Sequence, residues 1–463
     1  MFKFRWFRII FFVFIVIGGV LFYQHEQNTD NPICKDCNLI LISVDTLRPD
    51  HMGVYGYDKN TTPNIDRWAK NAVVYMNAYT EVPMTFPSFV LLMTGKDVVE
   101  TGIYSNRVVT DPDGVSVSIN SDDIQANVVT LAQKLKRNHY YNAAFLSNPE
   151  LSSEISTINR GFDKYEIINK TSPQEYEQFM IGNAMQTLKN NKKKKLFLWL
   201  HFIDPHSPYF PPKEFRCKFG QNNCQEINTL GFAQLEEKRK LLEGCQQTPL
   251  DNHTVNVYES LYDGEIAYTD NLIGKILDEL DKNQLTKNTI VIFYSDHGEG
   301  FGPSYYFNHP GTTSNATTKI PFIMYNPKIE AGINKNLVQN NDIYSMILSS
   351  IGVETELPNR KYVYGVTINK KEFSINDGKY KYIYFFPYSC NSDREEEKLY
   401  DIITDPKEQN NILKKNPQIA KKLKAELFKH FGEKMNTDIP TPQIRSGDEY
   451  RKDTLDQIKN LGY

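Results

Sequence analysis

The sequence predicts an α/β protein: a mostly parallel central sheet covered by helices on both faces, with a smaller C-terminal α+β subdomain. Three observations carry this reading. Apolar runs of strand length alternate with longer segments of helical period. Those runs are apolar throughout, as strands buried on both faces are. After about residue 355 the pattern changes to polar, Tyr-rich strands and one terminal helix.

In order along the chain, NLILISV (38–44) reads as a fully buried strand. TPNIDRWAKNA (62–72) is helical, with Ile65, Trp68 and Ala69 on one face. YNAAFLS (141–147) is a strand, SPQEYEQFMIGNAMQTLKN (172–190) an amphipathic helix and KLFLWLHF (195–202) a strand. The segment 217–250 reads as an irregular insertion. YESLYDGEIAYTDNLIGKILDEL (258–280) is a long helix, followed by strands TIVIFYS (289–295) and KIPFIMY (319–325). DGKYKYIYFF and a helix over about 417–432 belong to the C-terminal subdomain, placed at 356–463 after a main domain at 38–355. No internal repeat is evident.

Composition bounds the function. Of 463 residues 40% are hydrophobic and 13% aromatic, enough for a large core and against disorder. Net charge is −3, so no nucleic-acid partner is implied, and the lysines at 192–195 read as a solvated loop before a strand. At the N-terminus Lys3, Arg5 and Arg8 precede an uncharged apolar run, Ile9–Tyr23, and Glu26 and Asp30 follow it. This predicts a cytoplasmic tail (1–8), a membrane-spanning signal anchor (9–23) and a polar linker (24–37). The positive-inside rule then places the body outside the cytoplasm, periplasmic or extracellular. A run of that length also suits a signal peptide, but no convincing cleavage site follows. Six cysteines (34, 37, 217, 224, 245, 390) in an exported chain point to disulfides. Cys34-x-x-Cys37 lies in the linker, where a structural bridge or free thiols fit better than a redox motif. The spacing of 217, 224 and 245 does not fit a zinc knuckle.

Ligands of open α/β sheets bind beyond the carboxyl ends of the strands. Asp45 follows the first strand, Ile203-Asp204-Pro205-His206 the strand at 195–202, and Asp296-His297 the strand at 289–295; Asn308-His309-Pro310 precedes the next. Each alone reads as turn chemistry. Together, carboxylates and imidazoles at several strand ends suit one divalent cation: Mn, Zn, Mg or Ca. The stretch Thr85-Phe86-Pro87-Ser88 reads locally as a helix start, with Pro in the first turn and Thr or Ser as a cap.

Seven segments, NLILISVDTLRPDHMGVYG, TPNIDRWA, TFPSFVLLMTG, HFIDPHSPY, YDGEIAYTDNLIG, SDHGEGFG and KLYDIITDPKEQNN, occur in an order that resembles the sulfatase family of the alkaline phosphatase superfamily. The resemblance runs from about 38 to 430 and implies an alkaline-phosphatase-like fold. It implies Asp45, Asp296 and His297 as metal ligands, with Thr46 where many sulfatases carry a second Asp. His297 stands where sulfatases often have Asn and phosphonate or phosphodiester relatives have His. Thr85 takes the place of the Cys in C-x-P-S-R that sulfatases oxidise to formylglycine, so no formylglycine is expected, and Phe89 takes the place of the Arg. Thr85 is therefore expected as both metal ligand and nucleophile, with His206, His309 and Lys96 at the transferred anion or leaving group.

A threonine ester lacks the geminal hydroxyl by which formylglycine hydrate expels sulfate. It must be cleaved by attack at the central atom, which suits phosphorus better than sulfur. The expectation is a metal-dependent hydrolase preferring phosphodiesters or phosphonate esters over sulfate esters. Two alternatives stand beside it. One is a membrane-anchored phosphotransferase modifying envelope glycans or lipids, as relatives with Thr at this place include. The other is a non-catalytic binder of anionic glycans.

Overall fold

The computed structural model describes residues 33–435 apart from short stretches at 105, 111–115, 121–123, 154–155, 169–171, 192–193, 246–247, 304, 368–370 and 387–395. The expected tail, anchor and most of the linker, together with Cys390, lie outside the described residues. Among the described residues no helix is long and apolar enough to cross a membrane.

Eight strands form the central sheet: β1 (Asn38–Val44), β2 (Val73–Tyr79), β3 (Tyr140–Leu146), β4 (Lys164–Ile167), β5 (Lys195–Phe202), β6 (Thr289–Ser295), β7 (Lys319–Tyr325) and β8 (Gly332–Gln339). Their order across the sheet is β8-β2-β7-β6-β1-β5-β3-β4. β6, β1, β5, β3 and β4 run parallel to one another, as β8 does to β2. β7 alone is antiparallel to both its neighbours.

Side chains of β1 alternate between two cores, which is why its sequence is apolar at nearly every position. Ile40, Ile42 and Val44 pack with Ile65 and Trp68 of α1 (Pro63–Ala69) and with one face of a long later helix that includes Leu261 and Ile273. Leu39 and Leu41 pack on the other side with Phe89 and Leu92 of α2 (Thr85–Thr94), Leu131 of α3 (Leu131–Arg137), and Ile343 and Ile347. The segment expected helical over 172–190 is helical, but a π-turn at Gln178–Gly182 separates Pro173–Glu177 from α4 (Asn183–Asn190). The long helix, α5, spans Asn252–Lys282 and is capped by Asp251, whose carboxylate accepts from Thr254 N at 2.8 Å. Asp270 of α5 accepts from the backbone N–H groups of Asn64 (3.1 Å) and Ile65 (2.9 Å), and so caps the first turn of α1 from outside. Ile343 and Ile347 belong to α6 (Asp342–Ser350).

Beyond residue 355 four antiparallel strands, β9 (Val363–Val366), β10 (Glu372–Asn376), β11 (Tyr380–Phe385) and β12 (Glu396–Asp401), carry α7 (Pro417–Phe431). Leu423, Leu427 and Phe431 of α7 share one core with Phe373, Tyr382, Val82 and Met84, so this layer packs against the segment that leads into α2.

Several expectations need correction. β2 and β8 were not legible. VVYMNAY is interrupted by half-exposed Met76 and Asn77, and GINKNLVQ is an exposed sheet edge without an apolar run. The insertion is not irregular: it holds helices at Cys224–Thr229 and Phe232–Leu242 and a Cys217–Cys224 disulfide. Cys34 and Cys37 are bridged and buried, with Cys34 N donating to Ser350 O and Cys37 O accepting from the Tyr140 hydroxyl. The last residues of the expected linker are therefore docked on the core before β1 begins.

Candidate metal centre and active site

β6, β1, β5 and β3 are adjacent and parallel, so their carboxyl ends open on one edge. Asp45 follows β1, Asp296 and His297 follow β6, and Asn148 follows β3 by one residue. His201 sits within β5, directly across from Ser43 of β1 in the register. α2 enters the same edge with its N-terminus. Asp45, Thr85, Asn148, His201, Asp296 and His297 are all completely buried.

The local reading of Thr85 as a cap does not hold. Met84 occupies the N-cap position and makes no side-chain cap, while Thr85 is the first helical residue and turns its hydroxyl into the cluster. Thr85 Oγ1 lies 3.3 Å from His297 Nε2 and 3.4 Å from Asp45 Oδ2. Ser88, one residue past Pro87, donates its hydroxyl to the carbonyl of Asp296 at 2.8 Å and meets Tyr294 OH at 2.7 Å. This fastens the first turn of α2 to the end of β6. Gly95 ends α2 in the left-handed region, at φ 70°.

Each carboxylate has one oxygen saturated by protein donors and one bare. Asp45 Oδ2 accepts from Asn148 Nδ2 (2.8 Å) and faces His201 Nε2 (3.3 Å). Asp296 Oδ1 accepts from the backbone N–H groups of His297 (3.0 Å) and Thr46 (3.3 Å). Asp45 Oδ1 and Asp296 Oδ2 are buried with no hydrogen-bond partner among the described residues. His297 donates Nδ1–H to Gly298 O at 3.0 Å, which turns the Nε2 lone pair towards both bare oxygens, at 3.7 and 3.4 Å. Three potential ligand atoms, one from each residue and all within 4.8 Å of one another, fit a cation.

The electrostatics agree with that fit. Burial raises the Asp296 carboxyl well above the usual range, and the Asp45 charge adds to it. Burial also opposes ionisation of Asp45, but the imidazoles of His201, His206 and His297 outweigh it and hold this carboxyl low. Burial pushes His297 down to about 4, keeping it neutral as a ligand must be.

His309 stacks on His297 with ring centroids 4.0 Å apart and meets His206 at 5.5 Å. Its Nδ1–H donates to Pro83 O at 2.8 Å, and His206 Nδ1–H donates to Ser207 O at 2.6 Å. The three rings touch in sequence, His297 to His309 to His206. Lys96 is not brought to this row. Its amine pairs with Glu100 at 2.9 Å on the surface, one helical turn on, and its side chain is 38% exposed. Phe89 fills the place of the missing arginine with an apolar ring, 4.9 Å from Trp199 and edge-on to His201 at 5.0 Å.

Three contributors were missed by sequence reasoning: Asn148, His201 and the tethering role of Ser88. The strand-end logic that found Asp45 and Asp296 applies equally to Ser147-Asn148-Pro149 after β3. His201 gives no such signal, because it is embedded in an apolar strand and acquires meaning only from its register with Ser43.

The Sulfatase family model matches residues 37–353. An arylsulfatase of Clostridium perfringens (strain 13 / Type A) is 23% identical over 445 residues, covering 81% of this chain and 90% of that protein. A choline-sulfatase of Rhizobium meliloti (strain 1021) is 22% identical over 451 residues, covering 82% and 83%. Among solved structures, a phosphonate monoester hydrolase of Agrobacterium radiobacter superposes with a TM-score of 0.65 at 17% identity, covering 85% of this chain and 95% of that one. A protein solved with its substrate D-glucosamine-2-N,6-O-disulfate does so with a TM-score of 0.67 at 19% identity, covering 88% and 100%. The chain belongs to the sulfatase family of the alkaline phosphatase superfamily and is a sulfatase-like ester hydrolase.

Proposed function

We propose that this hydrolase acts on esters of phosphoric or phosphonic acid in preference to sulfate esters, with Thr85 as the covalent nucleophile. The observation that carries the proposal is the buried Thr85 hydroxyl, 3.3 Å from His297 Nε2 and 3.4 Å from Asp45 Oδ2, at the place where the family resemblance expects formylglycine.

Asp45, Asp296 and His297, with Thr85 beside them, would hold one divalent cation, Mn, Zn, Mg or Ca. When bound, it supplies the positive charge that favours an alkoxide and offsets charge building on the attacked group. The chain's own residues do the rest. Thr85 Oγ1 attacks phosphorus, and the bond from phosphorus to the leaving alcohol breaks as that oxygen takes a proton. His206 and His309 stand along the row where the leaving group and anion lie. Water then attacks phosphorus and returns Thr85. A threonine ester cannot break its own carbon–oxygen bond as a formylglycine hydrate does, and this disfavours sulfate.

The substrates in the relatives' names, including sulfated sugars and choline sulfate, keep sulfate esters in the comparison as the competing class. An alcohol in place of water would make the same chemistry a phosphotransfer to an envelope glycan or lipid. A protein named a putative transferase from Escherichia coli (strain K12), 21% identical, supports keeping that reading second. A purely glycan-binding role leaves the two bare, buried carboxylate oxygens without a purpose. The Lys3/Arg5/Arg8 cluster before Ile9–Tyr23 supports a single-pass anchor with the catalytic body outside the cytoplasm; membrane fractionation, and protease added to the outer face, test it.

The deciding experiment compares kcat/KM on an aryl sulfate, a phosphate monoester, a phosphodiester and a phosphonate monoester for the parent and Thr85→Ala. The expected result is the highest value on a phosphodiester or phosphonate ester, reduced by orders of magnitude in Thr85→Ala. Highest activity on the aryl sulfate, or a parent-like Thr85→Ala, would overturn the proposal.

A further inference from the structure

Asn148 lies at the heart of the cluster. It follows β3, is completely buried, and its two side-chain ends are sorted by the backbone. Asn148 Oδ1 accepts from Glu150 N at 2.9 Å. A backbone N–H can only donate, so this end of the amide is the oxygen and the other end is the NH₂. That NH₂ has two protons and two neighbours: Asp45 Oδ2 at 2.8 Å and Thr85 Oγ1 at 3.4 Å.

The surroundings leave Asn148 as the neutral donor facing the Thr85 oxygen. His297 meets that oxygen with a lone pair, because its proton is committed to Gly298 O. Asp45 meets it with a carboxylate oxygen, which also accepts only. His201 reaches Asp45 but not Thr85. Its orientation is set by a buried chain in which Trp199 Nε1 donates to Ser43 Oγ at 2.9 Å and Ser43 Oγ meets His201 Nδ1 at 3.0 Å. A carboxylate oxygen only accepts, so His201 Nε2–H donates to Asp45 Oδ2 at 3.3 Å. Asp45 Oδ2 is thus held by two N–H groups, and Oδ1 is turned to the cation cluster.

We propose that Asn148 is a catalytic residue of this enzyme. Its amide donates one proton to Asp45 Oδ2, so that Asp45 meets the cation through Oδ1 alone. It donates the other proton to Thr85 Oγ1, stabilising the charge on the attacking oxygen. The inference rests on the proposed role of Thr85. In the step itself the Oγ1–phosphorus bond forms, the bond from phosphorus to the leaving alcohol breaks, the hydroxyl proton leaves with that alcohol, and Asn148 keeps both its protons. A hydrogen bond of 3.4 Å before substrate binds is long, and catalytic bonds commonly shorten in the reactive complex. Preorganised donors of this kind are worth about 10²–10³ in rate.

Asn148 also caps the short turn Pro149–Leu151, so a capping role is the rival explanation. Asn148→Asp separates the two. Aspartate keeps the volume and still accepts from Glu150 N, as a cap requires, but it cannot donate. The experiment measures three quantities for the parent, Asn148→Asp and Asn148→Ala: Mn²⁺ affinity by calorimetry, melting temperature, and the single-turnover rate of leaving-group release from an aryl phosphodiester with phospho-Thr85 read by mass spectrometry. The expected result is a first step slowed about 10²-fold or more in both variants with Mn²⁺ bound, with the loss in Asn148→Asp at least that in Asn148→Ala. Mn²⁺ affinity should weaken by about 10–100-fold, since a partner of a ligand is gone. A parent-like first step in Asn148→Asp overturns the inference in favour of capping. Full recovery of Asn148→Ala at saturating Mn²⁺ overturns it in favour of a purely ligand-holding role. Where Asn148→Asp fails to fold, Asn148→Ser, whose hydroxyl still offers Glu150 N a cap oxygen but cannot reach both Asp45 and Thr85, is judged by the same criteria. Absence of phospho-Thr85 in an active parent is a different failure, and it belongs to the nucleophile assignment.

Discussion

The Ser88 hydroxyl donates to the carbonyl oxygen of Asp296 at 2.8 Å and so joins the helix that carries the nucleophile to the strand end that carries a ligand. Ser88 Oγ itself accepts from Thr80 Oγ1 and Asn340 Nδ2, at 3.1 and 3.2 Å, so two further segments meet at one buried side chain. Ser88→Ala should lower stability by about 1–3 kcal/mol, the cost of stranding buried partners. It should weaken Mn²⁺ binding as well, although Ser88 touches no cation. Denaturant titrations with and without Mn²⁺ check this; equal loss in both conditions would confine Ser88 to a structural role.

Asp296→Asn should lower metal content and activity together, from about one ion per chain. Metal binding should also expel protons. Burial and the Asp45 charge raise the Asp296 carboxyl well above the usual range, so protons compete with the cation for this pair. Affinity should therefore rise with pH. Calorimetry over a range of pH measures it, and an affinity that does not rise with pH would contradict the assignment.

Asp270 offers a stability test away from the catalytic edge. Burial raises its carboxyl to about 6 in the folded protein, against an ordinary value near 3.8. The folded state therefore holds the proton more tightly, and this contribution to stability is present below about pH 4 and lost as pH rises through about 6. Two units correspond to about 3 kcal/mol as an upper figure. Asp270→Asn does not titrate, so it should flatten the stability profile over that window, although its single amide oxygen can accept from only one of Asn64 N and Ile65 N and overall stability falls. An unchanged slope between pH 4 and 6.5 would remove Asp270 as its source.

Phe89→Arg, which restores the family's C-x-P-S-R arginine, should not produce a sulfatase. The ring is completely buried among Trp199, His201 and Tyr294. A guanidinium there is a charge taken out of water into a packed aromatic pocket. The expected outcome is a large loss of stability, several kcal/mol, read as a lowered melting temperature or insoluble expression. A well-folded variant with new aryl sulfatase activity would show that the pocket can be converted.

Much of this was legible because the central strands bury both faces and so advertise themselves as unbroken apolar runs. NLILISV and TIVIFYS announce both their position and the residues that must follow them at the carboxyl edge. Sheet edges carry no such mark: β8 is half solvent-exposed, and its pairing with β2 depends on the rest of the sheet. The site divides in the same way. Asp45, Asp296 and His297 stand in loops after legible strands, whereas His201 is polar within an apolar strand and is explained only by Ser43 and Trp199 beside it. Lys96 shows the opposite error. Its position after Thr94-Gly95 is compatible with the site, but a neighbour four residues on, Glu100, captures the amine.

The reversed direction of β7 has a consequence for how this enzyme can diversify. β6 ends, and β7 begins, at the same edge of the sheet, so the chain between them departs from the catalytic rim and returns to it without a crossover helix. That excursion, residues 296–318, carries Asp296 and His297 at its root and His309 further out. Gly298 folds it so tightly that a side chain there would strike the carbonyl of Ala316. Both ends are pinned to one rim, and in between Phe301, Tyr306 and Phe307 are buried in the same core as Val44 and Tyr262, while Thr313 is held by Glu372. Change without loss of packing is therefore confined to the few outward positions, such as Pro303.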